Sequence, residues 1–353
     1  MLFGGESAEH DVSCTTAAHV LKAADPERYR ITPIGISTAG QWALADGAAR
    51  ALEAGRDALP GRLDPTGTDL SPTPMLADAT AGDEITVVLP LLHGPMGEDG
   101  TVQGMLELAD VAYVGSGVLG SAVAMDKAMA KQILTAAGIP QARFRSFAEH
   151  EITPGLPNDL VADLGLPMFV KPANMGSSVG VSKASTVEAV RDAIEHALTY
   201  DETIVVEEAI VGREIEVGVL GNDDPQASVP GEIVPGEEFY NYDDKYVTDG
   251  AQLLIPAPLG DDAADEVRSL AIETFRALRC AGLARVDFFY EMDDSGNGRG
   301  FLCNEVNTMP GFTPISMYPK LWIHSGVPYT ELIDRLVDLA LERHSRRRRN
   351  TTH

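Results

Sequence analysis

The order of strands and helices along the chain constrains the fold of this 353-residue protein more than any other sequence feature. Strands that alternate with helices form parallel α/β sheets. From residue 212 onward the strand-like segments follow one another directly, which indicates antiparallel pairing. The sequence therefore predicts an α/β protein that begins with a parallel sheet. Within the first 120 residues, a helix is predicted at 101–109 and buried strands at 30–37, 85–92 and 111–115.

The middle of the chain carries further elements. The segment 122–138 predicts one continuous helix, which Gly138 and Pro140 end. A strand at 168–173 leads into the Gly/Ser-rich loop 174–180. The other predicted features are a surface loop at 60–84, a helix at 185–200 with Ser185 as its N-cap, a strand at 203–210, a closing helix at 329–344 and a frayed basic tail at 343–353.

The charge balance excludes a nucleic-acid-binding body. The chain has 27 Lys and Arg against 53 Asp and Glu, a net charge of -26. Five of the arginines lie after Glu342, so the body of the protein is more acidic still. Proteins that bind DNA or RNA need a basic surface. Because the chain has few lysines, each lysine in a candidate site is informative.

Cysteine content and hydropathy favour a cytoplasmic protein. The three cysteines are far apart and show no zinc-ligand spacing, so we expect buried thiols in a reducing compartment. The start of the chain lacks the basic and apolar regions of a signal peptide. The longest apolar run, 85–92, is too short to span a bilayer. We therefore expect no membrane partner.

The segment 285–307 is the most informative for chemistry. Two alternating strands flank a Gly-rich turn centred near residue 296, so Asp287 is expected opposite Glu305 and Arg285 opposite Asn307. One face of this hairpin then presents two carboxylates, an amide and an arginine. Carboxylate and amide oxygens suit Mg²⁺ that is shared with phosphates. The alternative is an ordinary half-exposed hairpin, which the apolar neighbours on both faces disfavour.

Two motifs in the sequence are rejected. Gly115, Gly117 and Gly120 match a dinucleotide-binding GxGxxG, but no acidic residue follows at the distance needed for the ribose. The segment 293–304 resembles a calcium loop, but Asn304 stands where such a loop has Glu, and strands rather than helices flank it.

The remaining candidate residues are weak signals when each is taken alone. Lys171 precedes the loop 174–180, whose backbone N–H groups could cradle phosphates. His93 follows the carboxyl end of a strand, where α/β sheets bind ligands, although a single histidine there is more often structural. Glu9 could simply complement a helix dipole. The same reservation applies to Lys127 and to the acidic pair at 207–208.

Taken together, these motifs resemble the ATP-grasp superfamily and, within it, the D-alanine–D-alanine ligases. The resemblance extends from Gly4 to about Leu341, and the order and spacing of the motifs make it specific. The chain begins shortly before Gly4, so its first strand is expected to be short. The motifs are GGESAEHDVS, LLHGPMGEDGTVQG, YVGSGVLGSAVAMDK, FVKPANMGSSVGVSK, VEEAIVGREIEV, FYNYDDKY, RVDFFYE and EVNTMPGFTPIS.

The resemblance implies a three-domain ATP-grasp architecture. A Rossmann-like domain with a parallel sheet would occupy residues 1–120. Two α+β lobes, 121–205 and 206–353, would hold ATP between them. The last lobe would carry a lid loop at 236–250 and the basic tail at 343–353. Relatives of this kind are usually homodimers.

The resemblance also implies the residues that bind ATP and metal. Two Mg²⁺ ions, which Mn²⁺ could replace, would be held by Asp287, Glu305 and Asn307, with Glu305 shared between them. Lys127, Lys171 and the loop residues Ser177 and Ser178 would contact the phosphates. The adenine, the ribose and the γ-phosphate would be bound by Glu207, Glu208, Ala209 and Ile210, by Glu214 and by Lys245, respectively.

For the two amino-acid substrates, the resemblance implies a second set of residues. Glu9, helped by His93, would hold the first ammonium group. Arg285 and the Gly311 amide would hold the carboxyl group that becomes activated. Ser316 and the Met317 amide would hold the second carboxylate. Glu9, Ser177 and Tyr246 would form a hydrogen-bonded triad that ties the lid to the site.

The implied activity is the ATP-dependent joining of two D-alanine molecules for peptidoglycan precursor synthesis, through an acyl phosphate. The nearest alternative is a D-alanine–D-lactate ligase or another carboxylate–amine ligase of the same superfamily. An alternative of another class is an inactive nucleotide-binding regulator, which would have lost a metal ligand or Arg285. A third is a Rossmann oxidoreductase, which would bind NAD.

Overall fold

The computed structural model describes residues 1–80, 84–235, 252–292 and 296–347. The first sheet has the strand order β4-β3-β2-β1-β6, in which β1 lies parallel to both β2 and β6. The predicted parallel core is therefore present, but β3 and β4 add antiparallel strands at one edge. The strands are β1 (Leu2–Gly4), β2 (Ile34–Ile36), β3 (Trp42–Leu44), β4 (Thr68–Asp69) and β6 (Pro90–Leu91), with β5 (Val87–Val88) paired in parallel to β7 (Ala112–Tyr113).

The helices of this part are α1 (His10–Ala23), α2 (Asp46–Ala54), α3 (Pro72–Thr80) and α4 (Thr101–Leu108). Strand β4 and helix α3 correct the prediction that 60–84 is a surface loop. Proline is well tolerated at the first position of a helix, and Leu76 of α3 is buried in the apolar core. Tertiary burial therefore outweighs the turn-forming composition of this segment.

The predicted continuous helix over 122–138 is two helices, α5 (Val118–Met125) and α6 (Lys127–Ala136). The chain leaves helical geometry at Asp126, whose side chain accepts a hydrogen bond from the backbone of Met129 at 2.9 Å. Asp126 is thus the N-cap of α6, and the cap competes successfully with helix continuation. The break places Lys127 at the first position of a new helix.

The second sheet has the order β10-β9-β11-β8 and is antiparallel throughout. Helix α8 packs on it, and its N-cap is Thr186 rather than the predicted Ser185, because the Thr186 hydroxyl accepts from the backbone of Ala189. The elements are β8 (Phe144–Ala148), α7 (Leu156–Leu164), β9 (Met168–Pro172), β10 (Ser182–Ala184), α8 (Val187–Ala197) and β11 (Thr203–Glu208).

The third sheet carries the predicted hairpin. Alternate residues of its long strands, such as Val217, Val286 and Phe288, pack against Phe275 of helix α9 and leave the opposite face for polar side chains. The strands are β12 (Arg213–Gly221), β13 (Gln226–Ala227), β14 (Gly231–Val234), β15 (Gln252–Leu254), β16 (Gly282–Met292) and β17 (Gly298–Asn307), and α9 spans Asp261–Ala277.

Two helices close the described chain, α10 (Met317–His324) and α11 (Tyr329–Arg347). Helix α11 continues through Arg347, which corrects the prediction of fraying from residue 343. The Arg343 guanidinium lies 4.1 Å from the ring centroid of Tyr113 and donates to the Tyr113 carbonyl at 3.1 Å. This contact holds the end of α11 against the N-terminal part. Among the described helices, none is long and apolar enough to cross a membrane.

We predict that Arg343→Met lowers the free energy of unfolding by ~1–2 kcal/mol, because it removes a cation–π contact and a hydrogen bond to Tyr113. Arg335→Met on the same helix is the matched control. Arg335 forms an exposed pair with Glu331, so its loss is expected to cost ~0.5 kcal/mol or less. Urea unfolding of both variants measures the difference, and equal costs would contradict the assigned role of Arg343.

Candidate active site

One cavity of about 160 Å³ lies where the three parts of the protein meet. Its walls come from the N-terminal part, from the loop after β9 and from the third sheet with the segment that follows it. Nine of the predicted site residues line this cavity: Glu9, His93, Ser177, Arg285, Glu305, Asn307, Gly311, Ser316 and Met317. Residues separated by more than 300 positions in sequence are thus brought to one place.

The β16–β17 hairpin places four polar residues as predicted. Asp287 pairs with Glu305, and Arg285 pairs with Asn307, which confirms the expected register. A register shift follows Asp287, so the pairing beyond it is offset by one residue. The Arg285 guanidinium donates to both oxygens of Asp287 at 2.7 Å, and the Asn307 amide nitrogen lies 3.0 Å from Asp287 Oδ2.

The sequence analysis missed Glu216, which lies on the neighbouring strand. Glu216 pairs directly opposite Asp287, and its carboxylate lies 3.1 Å from Arg285 Nε. Burial opposes the charge of Arg285, but Asp287 and Glu216 more than offset this and hold its pKa well above the ordinary value. Glu214 and Glu216 alternate along a predicted strand and so lie on the same face, and this pattern could have identified Glu216 as a site residue.

Two lysines predicted to contact phosphates have defined partners. The Lys127 ammonium donates to the Met175 carbonyl, which belongs to the loop 174–180. Burial lowers the pKa of Lys127, and nearby Glu305 partly offsets this. The Lys171 ammonium donates to Glu207 at 2.8 Å, and the two Glu207 carboxylate oxygens are divided between Lys171 and Lys131, which lies at 3.0 Å.

Lys131 was not singled out from the sequence, although it lies one helical turn after Lys127 on α6. Glu207 is only 3% exposed. Burial would raise the pKa of Glu207, but Lys131 and Lys171 lower it to about 2. The Glu207 side chain therefore serves as a counter-ion for two lysines.

The residues that follow Glu207, which are predicted to bind adenine, are also held in place. The Glu208 carboxylate binds Arg143 and Arg299, and its backbone N–H donates to the Arg143 carbonyl. The Ala209 N–H donates to the Pro167 carbonyl. These contacts fix the backbone of Glu208 and Ala209 at the C-terminal end of β11. Glu214 lies further along, on β12, opposite Phe289.

The loop 174–180 has an unusual backbone. Ser177 and Ser178 have φ angles of 50° and 59°, in the left-handed region that residues other than glycine rarely adopt. Such strain is characteristic of ligand-binding loops, and successive N–H groups in such loops form anion-binding concavities. A Cβ atom on Gly176 would lie 3.3 Å from Glu9 Oε2, so this loop packs directly against Glu9.

Glu9 is the N-cap residue of α1, but its side chain makes no capping hydrogen bond and instead lines the cavity. His93 is 5% exposed, and its Nδ1 lies 2.9 Å from the Met309 carbonyl oxygen. A carbonyl only accepts, so Nδ1 carries a proton, and in the tautomer with its proton on Nδ1 alone Nε2 is an acceptor. Among the described residues, His93 Nε2 has no hydrogen-bond partner. The cavity therefore presents an acceptor pair suited to an ammonium group.

Glu98 is a second cavity residue that the sequence left without a role. It is buried and accepts a hydrogen bond from the Gly94 backbone at 2.7 Å. Burial, reinforced by the nearby Glu9 charge, raises the pKa of Glu98 to about 8. Its position in an acidic loop after a strand was the only signal in the sequence.

The opposite wall of the cavity is the segment that ends at α10. Ser316 is the N-cap residue of this helix, and its hydroxyl lies 2.8 Å from the Thr313 hydroxyl. The first N–H groups of a helix, here beginning at Met317, bind carboxylates well. A Cβ atom on Gly311 would approach Ser316 Oγ to 3.2 Å, so a larger residue at this position would crowd the Ser316 hydroxyl. Lys245 and Tyr246, with the whole predicted lid 236–250, lie outside the described residues.

We predict that Glu207→Gln lowers the free energy of unfolding by ~3–5 kcal/mol, because two buried lysines lose their counter-ion. Lys131→Met should cost less, ~1–3 kcal/mol, because Glu207 keeps Lys171. The pKa of Glu207 is depressed, so its contribution is present above its ordinary value near 4.5 and is lost as the pH falls through about 2. Urea unfolding at pH 7 tests the ranking, and a larger cost for Lys131→Met would contradict it.

Two family models match the chain. The model for the D-ala D-ala ligase N-terminus matches residues 1–116, and that for the D-ala D-ala ligase C-terminus matches residues 133–338. Among curated proteins, a D-alanine–D-alanine ligase of Geobacillus thermodenitrificans is 48% identical, covering 98% of this chain and 95% of that protein. D-alanine–D-alanine ligase A of Salmonella typhimurium is 45% identical, covering 98% and 96%, respectively.

Solved structures show the same architecture. The D-alanine–D-alanine ligase from Coxiella burnetii superposes with a TM-score of 0.81 at 33% identity, covering 99% of this chain and 95% of that one. The VanG D-Ala:D-Ser ligase from Enterococcus faecalis superposes with a TM-score of 0.80 at 32% identity, covering 96% and 98%. The predicted ATP-grasp architecture is thus confirmed. The combined matches, which span nearly the whole sequence, show that this chain belongs to the D-alanine–D-alanine ligase family.

Proposed function

We propose that this protein joins two D-alanine molecules into D-alanyl-D-alanine, with conversion of ATP to ADP and phosphate, as a step in peptidoglycan precursor synthesis. One observation carries this proposal: a single cavity gathers Glu9 and His93, Arg285, Glu305 and Asn307, and the N-terminus of helix α10. These are the groups needed to bind two amino acids and a phosphate donor side by side.

ATP would lie between the second and third sheets. Lys127, Lys171 and the N–H groups of the loop 174–180, including those of Ser177 and Ser178, would neutralise its phosphates. The connection from β11 would read the adenine through the backbone of residues 208–210, since the Glu207 side chain is engaged by two lysines. Glu214 would bind the ribose, and Lys245 would approach the γ-phosphate.

The donor set on the hairpin fits Mg²⁺. Asp287 and Glu305 supply carboxylate oxygens, Asn307 supplies an amide oxygen, and Mg²⁺ prefers such ligands. In the described part of the chain, no three His, Cys, Asp or Glu side chains cluster as metal ligands, and the proposed set consists of two carboxylates and one amide. Glu305 lies opposite Asp287 on the hairpin, and its charge also acts on Lys127 and Lys171, the two lysines that would contact the phosphates. When bound, two Mg²⁺ or Mn²⁺ ions would neutralise the transferring phosphoryl group.

The first step activates one D-alanine. Glu9 and His93 Nε2 would accept hydrogen bonds from its ammonium group, while Arg285 and the Gly311 N–H would hold its carboxylate. One carboxylate oxygen attacks the γ-phosphorus, the bond to the bridging oxygen of ADP breaks, and an acyl phosphate forms. No nucleophile from the protein is required, because positioning and charge neutralisation accomplish this step.

The second step forms the peptide bond. Ser316 and the Met317 N–H would hold the carboxylate of the second D-alanine, whose amine attacks the acyl carbon after its ammonium loses a proton. The carbon–oxygen bond to phosphate breaks, and inorganic phosphate leaves with the original carboxylate oxygen. An acyl phosphate hydrolyses readily, so closure of the lid 236–250 over the cavity would exclude water.

The alternatives are less well supported. An inactive regulator is disfavoured because the chain retains Arg285 and all three metal-ligand residues, and they occupy one site. A D-alanine–D-lactate ligase would differ in its second subsite, where relatives that use lactate replace the tyrosine equivalent to Tyr246. This chain has tyrosine there.

We further propose a cytoplasmic homodimer. The three cysteines are free and buried, as expected in a reducing compartment that also contains ATP. Leu108 of α4 and Leu119 of α5 are 93% and 56% exposed, and exposed large apolar side chains of this kind suit an interface between two copies. A monomeric mass in light scattering at micromolar concentration would contradict the dimer.

A coupled assay tests the activity. ADP release is measured with D-alanine, L-alanine and D-alanine plus D-lactate as substrates. We expect turnover with D-alanine, none with L-alanine, and D-alanyl-D-alanine as the product. ADP release that does not depend on D-alanine would overturn the proposal.

We predict that Glu305→Gln lowers kcat by at least about 100-fold, because the variant loses charge needed to bind the metal pair. The structure offers Glu291 as a control, since it lies on the same hairpin and pairs with the exposed Arg299. Glu291→Gln should retain near-normal activity. Near-normal activity of Glu305→Gln at saturating Mg²⁺ would remove Glu305 from the site.

We predict that Tyr246→Phe preserves the fold and raises the ratio of D-lactate to D-alanine product, most clearly at low pH, where the competing amine is protonated. This outcome is expected if the Tyr246 hydroxyl helps to exclude the hydroxy acid. If Tyr246 only anchors the lid, both products should fall together, and an unchanged ratio from about pH 6 to 9 would reject the specificity role.

A further inference from the structure

The segment between β17 and α10 has to be placed accurately relative to the N-terminal part. It carries Gly311, Ser316 and Met317, whereas Glu9 comes from the far side of the cavity. The described contacts show how this spacing is set. In the middle of the segment, the Tyr329 hydroxyl donates to the Phe312 carbonyl at 2.6 Å. Near its start, at Met309, the contacts come from the N-terminal part.

Both backbone polar groups of Met309 face side chains of the loop after β6. His93 Nδ1 donates to the Met309 carbonyl at 2.9 Å, and the Met309 N–H faces the Glu98 carboxyl group, which lines the same cavity. The same Glu98 group accepts from Gly94 at 2.7 Å, which rigidifies its own loop. The Met309 side chain is buried in the core that the N-terminal part shares with α11, so the residue is fixed on all sides.

We propose that Glu98 is a positioning residue that, together with His93, clamps Met309 and so sets the distance between the two amino-acid subsites. The expected effect on catalysis rests on the proposed function. Glu98 reaches across from the N-terminal part to the segment that binds the second D-alanine, and it acts through Met309. A small displacement of Gly311 and Ser316 would separate the attacking amine from the acyl carbon.

Asp99 provides a matched control within the same loop. Its two carboxylate oxygens accept hydrogen bonds from the Met96 and Thr101 backbones, at 2.7 Å and 2.9 Å. Asp99 therefore resembles Glu98 in bonding two backbone N–H groups, but both lie within its own loop. Glu98→Ala removes the link to Met309, whereas Asp99→Ala leaves it intact.

The kinetic experiment compares these variants with Glu98→Gln. Glu98→Ala should lower kcat/KM for the second D-alanine by roughly 100-fold, the cost of a misplacement of about 1 Å. The affinity for a non-hydrolysable ATP analogue should change less than about twofold, because the phosphate-binding groups lie elsewhere. Glu98→Gln keeps an acceptor oxygen and should fall between Glu98→Ala and wild type, as hydrogen bonding rather than charge would require.

Hydrogen exchange of the 305–317 peptide, measured without substrates, tests the clamp independently of activity. Exchange should accelerate by about tenfold or more in Glu98→Ala and should be unchanged in Asp99→Ala, because only the former removes an acceptor of this peptide. Unaltered exchange in Glu98→Ala, or equal effects of the two variants, would overturn the proposal. Absence of ligase activity in the wild type would instead refute the proposed function and leave the exchange result interpretable.

Discussion

The antiparallel pairing of β16 with β17 is the constraint on which the site depends. This register places Asp287 beside Glu305 and Arg285 beside Asn307, and β12 adds Glu216 opposite Asp287. Carboxylates that are buried so close together are costly unless cations neutralise them. Much of the surrounding structure supplies such cations or holds them in place.

The lysines that serve this purpose are themselves held by the fold. Asp126 interrupts the helix so that α6 begins at Lys127, and Glu207 binds Lys171 and Lys131 together. An acidic protein with only seven lysines thus places three of them around the proposed phosphate-binding region. In the proposed reaction, the metal pair would neutralise the hairpin carboxylates and the phosphates of ATP, and the lysines would neutralise the remaining phosphate charge.

Local patterns predicted the parts of the fold that local forces control. The hairpin register followed from period-two alternation and the centre of a Gly-rich turn, and the structure has it as expected. The predictions for 60–84, for the continuous helix 122–138 and for a frayed end at residue 343 were wrong. A buried leucine, a competing N-cap and a tyrosine 230 residues away decided these outcomes, and composition does not reveal them.

In the candidate site, too, the sequence predicted some residues from local pattern and missed those that depend on tertiary contacts. Residue types and spacing indicated the metal-ligand set, whereas the roles of Glu9, Ser316 and Tyr246 came only from the family resemblance. Glu98 was given no role, and Glu216 and Lys131 were missed, because their importance arises from burial and from partners distant in sequence. Their positions became meaningful only when the three parts of the chain were seen around one cavity.

In the proposed mechanism, this cavity activates a carboxylate by phosphorylation and then transfers the acyl group to an amine. An ¹⁸O-transfer experiment shows whether the acyl phosphate forms. With D-alanine labelled in both carboxylate oxygens, the released inorganic phosphate should contain one ¹⁸O atom, because the bridging oxygen of the acyl phosphate leaves with phosphorus. Unlabelled phosphate released during dipeptide formation would show that water or another group attacks ATP, and it would contradict the acyl-phosphate mechanism.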